Sequence, residues 1–364
     1  MKEGELPPAQ WPVQEDPDHR RRAVVMFLLT LGSVYLVFGF QWMGGNPLTT
    51  PDVAIGSAKF AATLMTILLA HEMGHYVVAK RHGFSLSLPY FIPFPFAFGT
   101  LGAVIRLKSM PKSRTALLEM GAAGPLAGFG VALIAFIVGL PGTVDPGGPE
   151  MLAASNAVPA MAAEPGLLDA VLVPLASTLD AVFVFLGTVP APIPDHIILP
   201  ILANPPLMDL VGLALGEGAP GRYAHLDPIA FAGWVGCLLT AINLVPVGQL
   251  DGGHILNALA PSKARALAPV GVVLLFLAGL LWPGWAVWGG LLLILRAWIS
   301  LPVPARPALS TRAKLIAIAT LGAFLLSFMP RPVQFDSVAW EDILWLDEDG
   351  ERVPAPARPE ALSE

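Results

Sequence analysis

Long apolar runs, each with two charges at most, limit what this chain can fold into more than any other feature. Seven can be drawn, at 23–42, 58–79, 115–140, 229–257, 266–282, 284–300 and 314–329; the fourth is broken by Pro246, Gly248, Gly252 and Gly253. Crossing a hydrocarbon core takes about 20 apolar residues, and most of these runs are close to that length. Only 13% of the 364 residues are charged, against about 25% in a soluble domain. The expected architecture is an all-α polytopic membrane protein of about six to seven transmembrane helices, or about nine if 141–227 holds a helical pair.

Charge bias orients the spans. Arg20 to Arg22 precede the first. Lys80, Arg81, Arg106, Lys108, Lys112 and Arg114 separate the second from the third, Lys263 and Arg265 follow the fourth, and Arg306, Arg312 and Lys314 precede the last. All fall on one side if the N-terminus is cytoplasmic. The stretch 141–227 holds one basic residue, Arg222, against nine acidic ones, as a non-cytoplasmic segment should. Within it, 166–187 is apolar but carries Asp169, Asp180 and Pro174, and reads as an amphipathic helix at the interface.

The expected organisation is a cytoplasmic segment at 1–22, a first transmembrane helix and loop at 23–57, a core at 58–260, C-terminal helices at 261–330 and an acidic, flexible tail at 331–364. The first apolar run is too long for a signal-peptide core and lacks a small-residue cleavage site, so it reads as a retained anchor. A single cysteine, Cys237, excludes an internal disulfide and a multi-cysteine metal site. Neither a basic patch nor a glycine-rich phosphate loop is present, so nucleic acid is not an expected partner.

Against this background the acidic residues stand out. Between 53 and 144 there are only Glu72 and Glu119, and between 228 and 335 only Asp251. A charge at membrane depth costs at least about 2.5 kcal/mol, so each needs a reason. His71 and His75 are four apart in a segment expected to be helical, so both imidazoles share a face and reach one metal ion. Glu72, beside the first ligand, is placed to take a proton from a water that the metal activates. Zinc suits such a site: it accepts nitrogen and oxygen ligands and has no redox chemistry.

A catalytic zinc, one per chain, needs a third protein ligand. The candidates at membrane depth are Glu119, Asp251 and His254. Glu119 lies near Lys112 and Arg114 and is expected to pair there or to cap the helix start. Asp251 sits in an interrupted helix, where non-helical backbone is tolerated if it lines a cavity, and is the choice. His254 could orient a ligand or simply pack. His75 is five residues before Lys80, which puts the metal roughly 8 to 14 Å below the cytoplasmic interface.

Two motifs, "HEMGH" (71–75) and "NLVPVGQLDGG" (243–253), together with the weaker "AAGPLAG" (122–128), resemble the site-2 protease family of intramembrane zinc metalloproteases. The likeness covers about residues 53 to 260, and "GTLGAVIRLKSMPKSRTALLEMGAAGPLAG" looks like the branch of chloroplast and bacterial members without a PDZ domain. The resemblance implies that His71, His75 and Asp251 hold zinc, that Glu72 is the general base, and that Asn243 binds the substrate carbonyl or the oxyanion. The substrate it implies is a transmembrane protein cut within or near its membrane segment. Gly124, Pro125 and Gly128 are expected to allow close helix packing.

The stretch 84–109 is apolar, yet Pro89, Pro93 and Pro95 exclude a regular span, while "GAVIRLK" alternates like a strand. The family has a membrane-associated β-hairpin here, so a small hairpin or re-entrant loop is expected near 84–110, with an edge able to hold an extended substrate. Two other readings of the histidines and acids are a zinc peptidase of the prenyl-protein-processing type, whose usual third ligand is Glu, and a zinc transporter. The expected location is the bacterial inner membrane, with the site nearer the cytoplasmic face.

Overall fold

The computed structural model describes residues 18–105, 113–144, 196–221, 224–299, 308–339, 345–346 and 352–353. Arg106, Lys108, Lys112 and the amphipathic helix expected at 166–187 lie outside these residues. The helices are α1 (His19–Val37, continued by a wider turn at Phe38–Trp42), α2 (Pro51–Arg81), α3 (Arg114–Gly139), α4 (Pro206–Leu215), α5 (Pro228–Asn243), α6 (Asp251–Leu259), α7 (Pro261–Ala278), α8 (Pro283–Ile294) and α9 (Thr311–Ser327). Their ends follow local chemistry. Pro51 opens α2, Asp52 lies in its first turn and Lys80 and Arg81 in its last, so all match the helix dipole. Ser113 caps α3 by accepting from Ala116 N, and Asp227 caps α5 by accepting from Ile229 N.

Four helical segments, His19–Trp42, Pro51–Arg81, Arg114–Gly142 and Pro261–Ala278, are long and apolar enough to cross a membrane. Pro206–Leu215, Pro228–Asn243 and Pro283–Ile294 are apolar but shorter. The expected run at 284–300 is cut at Ile294 because Arg296 takes a left-handed conformation (φ 54°) and reverses the chain. Exposed Leu28, Ile134, Ile294 and Ile318 give the outer surface the apolar character that lipid contact requires.

The interior is built where α2, α3 and α5 pack together. Phe60, Leu64 and Ile67 of α2 meet Ala132 and Phe136 of α3 and Phe231, Trp234 and Val235 of α5. Phe38 stacks on Phe60 with centroids 4.0 Å apart.

The hairpin expected near 84–110 is present as β1 (Tyr90–Pro93) paired antiparallel with β2 (Thr100–Val104). It lies along α1. His19 bonds both Tyr90 Oη and Leu88 N, Ser33 donates to Phe94 O, and Trp42 Nε1 donates to Ala97 O at 2.8 Å. Gly99 (φ +82°) lies directly against Val34 Cα, where a side chain would collide.

A second sheet was not anticipated. β3 (His196–Leu202) pairs antiparallel with β4 (Val333–Ala339) over seven residues. β4 thus lies within the stretch expected as a tail at 331–364. A third pair, β5 (Trp345–Leu346) with β6 (Arg352–Val353), is short.

Candidate metal centre

α2 carries His71, Glu72 and His75 on its inner side, and the one-turn spacing brings the two imidazoles together with ring centroids 4.9 Å apart. Asp251 arrives from the break between α5 and α6. After Asn243 the chain leaves the helix and turns back, held by Val247 N to Val245 O (2.8 Å) and Leu250 N to Val247 O (3.1 Å). A side chain on Gly252 would run into Leu244 O, and one on Gly253 into Gly248 O. The two glycines therefore let the loop fold onto the first turn of α6, where Asp251 is the first residue.

Asp251 Oδ2 lies 3.2 Å from His71 Nε2, Asp251 Oδ1 lies 3.3 Å from His75 Nε2, and the two Nε2 atoms are 3.1 Å apart. A tetrahedral ion with ligand bonds of about 2.0–2.1 Å holds adjacent ligand atoms about 3.3 Å apart. The three separations fit zinc, and so does a donor set of two imidazoles and one carboxylate. His75 Nδ1–H donates to Met120 O at 2.8 Å, which leaves its Nε2 lone pair facing the other two groups. Among the described residues these three form the group able to hold a metal.

α3 supports the site. Its Gly124 lies flat against the His75 ring, and a Cβ on Gly128 would stand 3.2 Å from His71 Cβ. Gly121 faces α6 in the same way, with its Cβ position 3.3 Å from Asp251 O. These contacts favour close packing, as expected for Gly124 and Gly128, and Pro125 is buried in the same stretch. Gly124→Ala places a methyl group in the His75 ring. It is expected to weaken zinc binding about 10- to 100-fold, the scale of a disturbed ligand support, as measured by competition with a chromogenic chelator.

Glu119 does not join the site, and Lys112, one of the two residues expected near it, lies outside the described residues. It receives His82 Nε2 at 2.8 Å and faces Arg312 Nε at 3.8 Å. Arg114 and Glu119 are five residues apart, roughly 140° around the helix, so they do not share a face. Arg114 instead donates from Nε to Ala258 O and from Nη2 to Leu259 O, each at 2.6 Å. This guanidinium fork satisfies carbonyls at the end of the short helix that begins with Asp251. Sequence reasoning missed that role because nothing local marks a contact between residues so distant in the chain. His254 is also outside the three-residue group, and its buried Nδ1 has no hydrogen-bond partner among the described residues.

Beside the ligands is a cavity of about 60 Å³ lined by His71, Glu72, Leu101, Gly102, Ala103, Asn243 and Trp288, among others. Glu72 is 7% exposed, and Asn243 is half-buried at the end of α5. Neither side chain makes a hydrogen bond to a described residue. One strand of the hairpin, β2, forms a wall of the same cavity.

Residues 59–278 match the family described as Peptidase family M50. Similar curated proteins include the probable zinc metalloprotease EGY2, chloroplastic, of Arabidopsis thaliana, 32% identical over 59% of this chain and 31% of that protein. The probable zinc metalloprotease EGY1, chloroplastic, of the same plant is 29% identical over 64% of this chain and 38% of its own length. The EGY1 counterpart from Oryza sativa subsp. japonica is 33% identical over 53% and 26%, respectively. The chain thus spans about a third of the length of these relatives. No solved structure matches it.

Proposed function

The chain belongs to peptidase family M50, the site-2 protease family, and from that premise we propose that it is a zinc-dependent endopeptidase cutting other membrane proteins within or near their transmembrane helices. The observation that carries the reading is the placement of Glu72 and Asn243 on one small cavity, immediately beside the His71, His75 and Asp251 cluster. When bound, zinc supplies Lewis acidity, polarising a carbonyl and lowering the pKa of water to about 7. Glu72 takes the proton from the attacking water and returns it to the leaving amine. The Asn243 amide donates to the carbonyl oxygen as negative charge gathers there. A helical substrate hides its carbonyls in its own hydrogen bonds, so it must unwind locally. The edge of β2 beside the cavity holds the unwound segment as an added strand.

The reading includes seven crossings, with α5 and α6 together making one and α8 and α9 completing the set. The N-terminus and the metal centre lie toward the cytoplasmic side of a bacterial inner membrane, and the named relatives are chloroplastic. Contacts between chain segments support this path, because partners in direct contact share a membrane side. Arg114 with Leu259, His82 and Arg312 with Glu119, and His19 with Leu88 fall on the cytoplasmic side. β3 with β4, Val144 with His225, and Trp285 with Pro330 fall on the other. The divisions at 23–57, 58–260 and 261–330 follow from the same path, and release of membrane-tethered regulators is the role such cleavage would serve.

The test is cleavage of a reporter bearing a transmembrane helix by the full chain in lipid vesicles. Treatment with 1,10-phenanthroline is expected to reduce cleavage to background, and added zinc to restore it. A reporter left intact by the zinc-loaded chain overturns the protease reading.

A further inference from the structure

One wall of the cavity comes from outside the matched stretch of 59–278. Trp288, on α8, lines the cavity together with Glu72, Gly102, Gly236 and Asn243. Its helix is held to the metal-ligand loop by backbone contacts. Ala297 O, just past the end of α8, accepts from Gln249 N at 2.7 Å, two residues before Asp251. Gly248 (φ +55°) has no room for a side chain, because Ala297 O and Trp298 Cα occupy that space. Trp285 and Leu292 of the same helix are buried in the main core. The indole is therefore held in place relative to the ligands.

Elsewhere two of the lining residues are glycines. Gly102 (φ +90°) has open space where a Cβ would stand, and the Cβ position of Gly236 is taken up by Ile67. The cavity of about 60 Å³ is small beside the roughly 300–1,000 Å³ of ordinary small-molecule sites, so the space next to the ligands is tight. Trp288 is the bulkiest group bounding this space.

We propose that Trp288 determines substrate specificity by limiting the side chain next to the scissile bond to small residues. The inference rests on the protease reading and narrows its substrate class to membrane segments that place Gly, Ala or Ser at that point. A side chain that enters this cavity from a strand lying against β2 meets the space bounded by the indole, and a larger one is turned away by the ring.

The experiment uses three reporters that differ only in Ala, Leu or Phe beside the scissile bond, which is mapped by mass spectrometry. kcat/KM is measured in lipid vesicles for the unaltered chain and for Trp288→Ala, Trp288→Leu and Glu72→Gln. The unaltered chain is expected to prefer Ala over Phe by about 10- to 200-fold, the range that one or two methylenes produce in an apolar pocket. Trp288→Ala is expected to reduce that preference at least about tenfold, with Trp288→Leu between the two. If Trp288→Ala does not yield folded, zinc-loaded protein, the Trp288→Leu ratio decides on the same criterion. Cleavage by both variants with an unchanged Ala-to-Phe ratio overturns the inference and leaves the protease reading standing. An unaltered chain as inert as Glu72→Gln on all three reporters overturns both.

Discussion

Glu72→Gln is expected to slow cleavage of a transmembrane reporter by about 10²- to 10⁴-fold, the usual contribution of a positioned acid–base group. Zinc content should stay at the level of the unaltered chain. The substitution keeps the side chain's shape and removes its capacity to accept a proton. Glu72 is not among the three residues whose ligand atoms converge, and its carboxylate has no hydrogen bond to a described residue whose loss would disturb the fold. A proton-transfer role therefore predicts activity lost with metal retained. Single-turnover cleavage and metal analysis on the same preparation separate the outcomes. Cleavage at the unaltered rate removes Glu72 from the mechanism, and loss of zinc along with activity makes it a ligand instead.

Asp251→Ala is expected to lose both metal and activity. The weakening of zinc binding should exceed the roughly 100-fold that loss of a ligand-supporting hydrogen bond brings. The carboxylate lies within 3.3 Å of both imidazoles, so its removal leaves the two histidines facing each other without the acid that bridges them. Breaking a buried pair in this way costs about 3–5 kcal/mol, so a lower unfolding temperature in detergent should accompany the lost zinc. Glu119→Gln is the matched control, because Glu119 binds His82 and Arg312 on the far side of α3. It should keep its zinc. Equal zinc affinity in Asp251→Ala and the unaltered chain would remove Asp251 from the ligand set.

The chemistry of this chain is more legible in its sequence than its architecture. His71 and His75 share a face through helix geometry alone, so tertiary structure adds only confirmation of their approach. Asp251 could be picked out because it is the one acid in a long apolar region, and the glycines around it mark the broken helix. What supports the ligands was not legible. The fit of Gly124 to the His75 ring and the fork from Arg114 to the end of α6 depend on packing between helices far apart in sequence. The strand pair β3–β4 was missed for a similar reason. Pro200 weakens the strand signal in one partner, the other lies in a stretch with the polar composition of a tail, and long-range pairing has no local signature. The shortened α8 was missed because apolar composition continues through Trp298, while the backbone has already reversed at Arg296.

The pairing of β3 with β4 also has a consequence for the order in which the protein is made. β3 can find its partner only after α9 and β4, which follow it in the chain, have left the ribosome. Until then the strand lacks its partner in a chain whose helices α2 and α6, bearing His71, His75 and Asp251, are already made. The joint is tied inward, since Ala203 N donates to Pro332 O and Trp234 Nε1, on the helix that ends in Asn243, donates to Ala203 O. Completion of synthesis is thus coupled to the final setting of α5. Newly inserted chains pass through an interval in which the metal-binding residues are present and the helix bearing Asn243 still lacks its outer fastening.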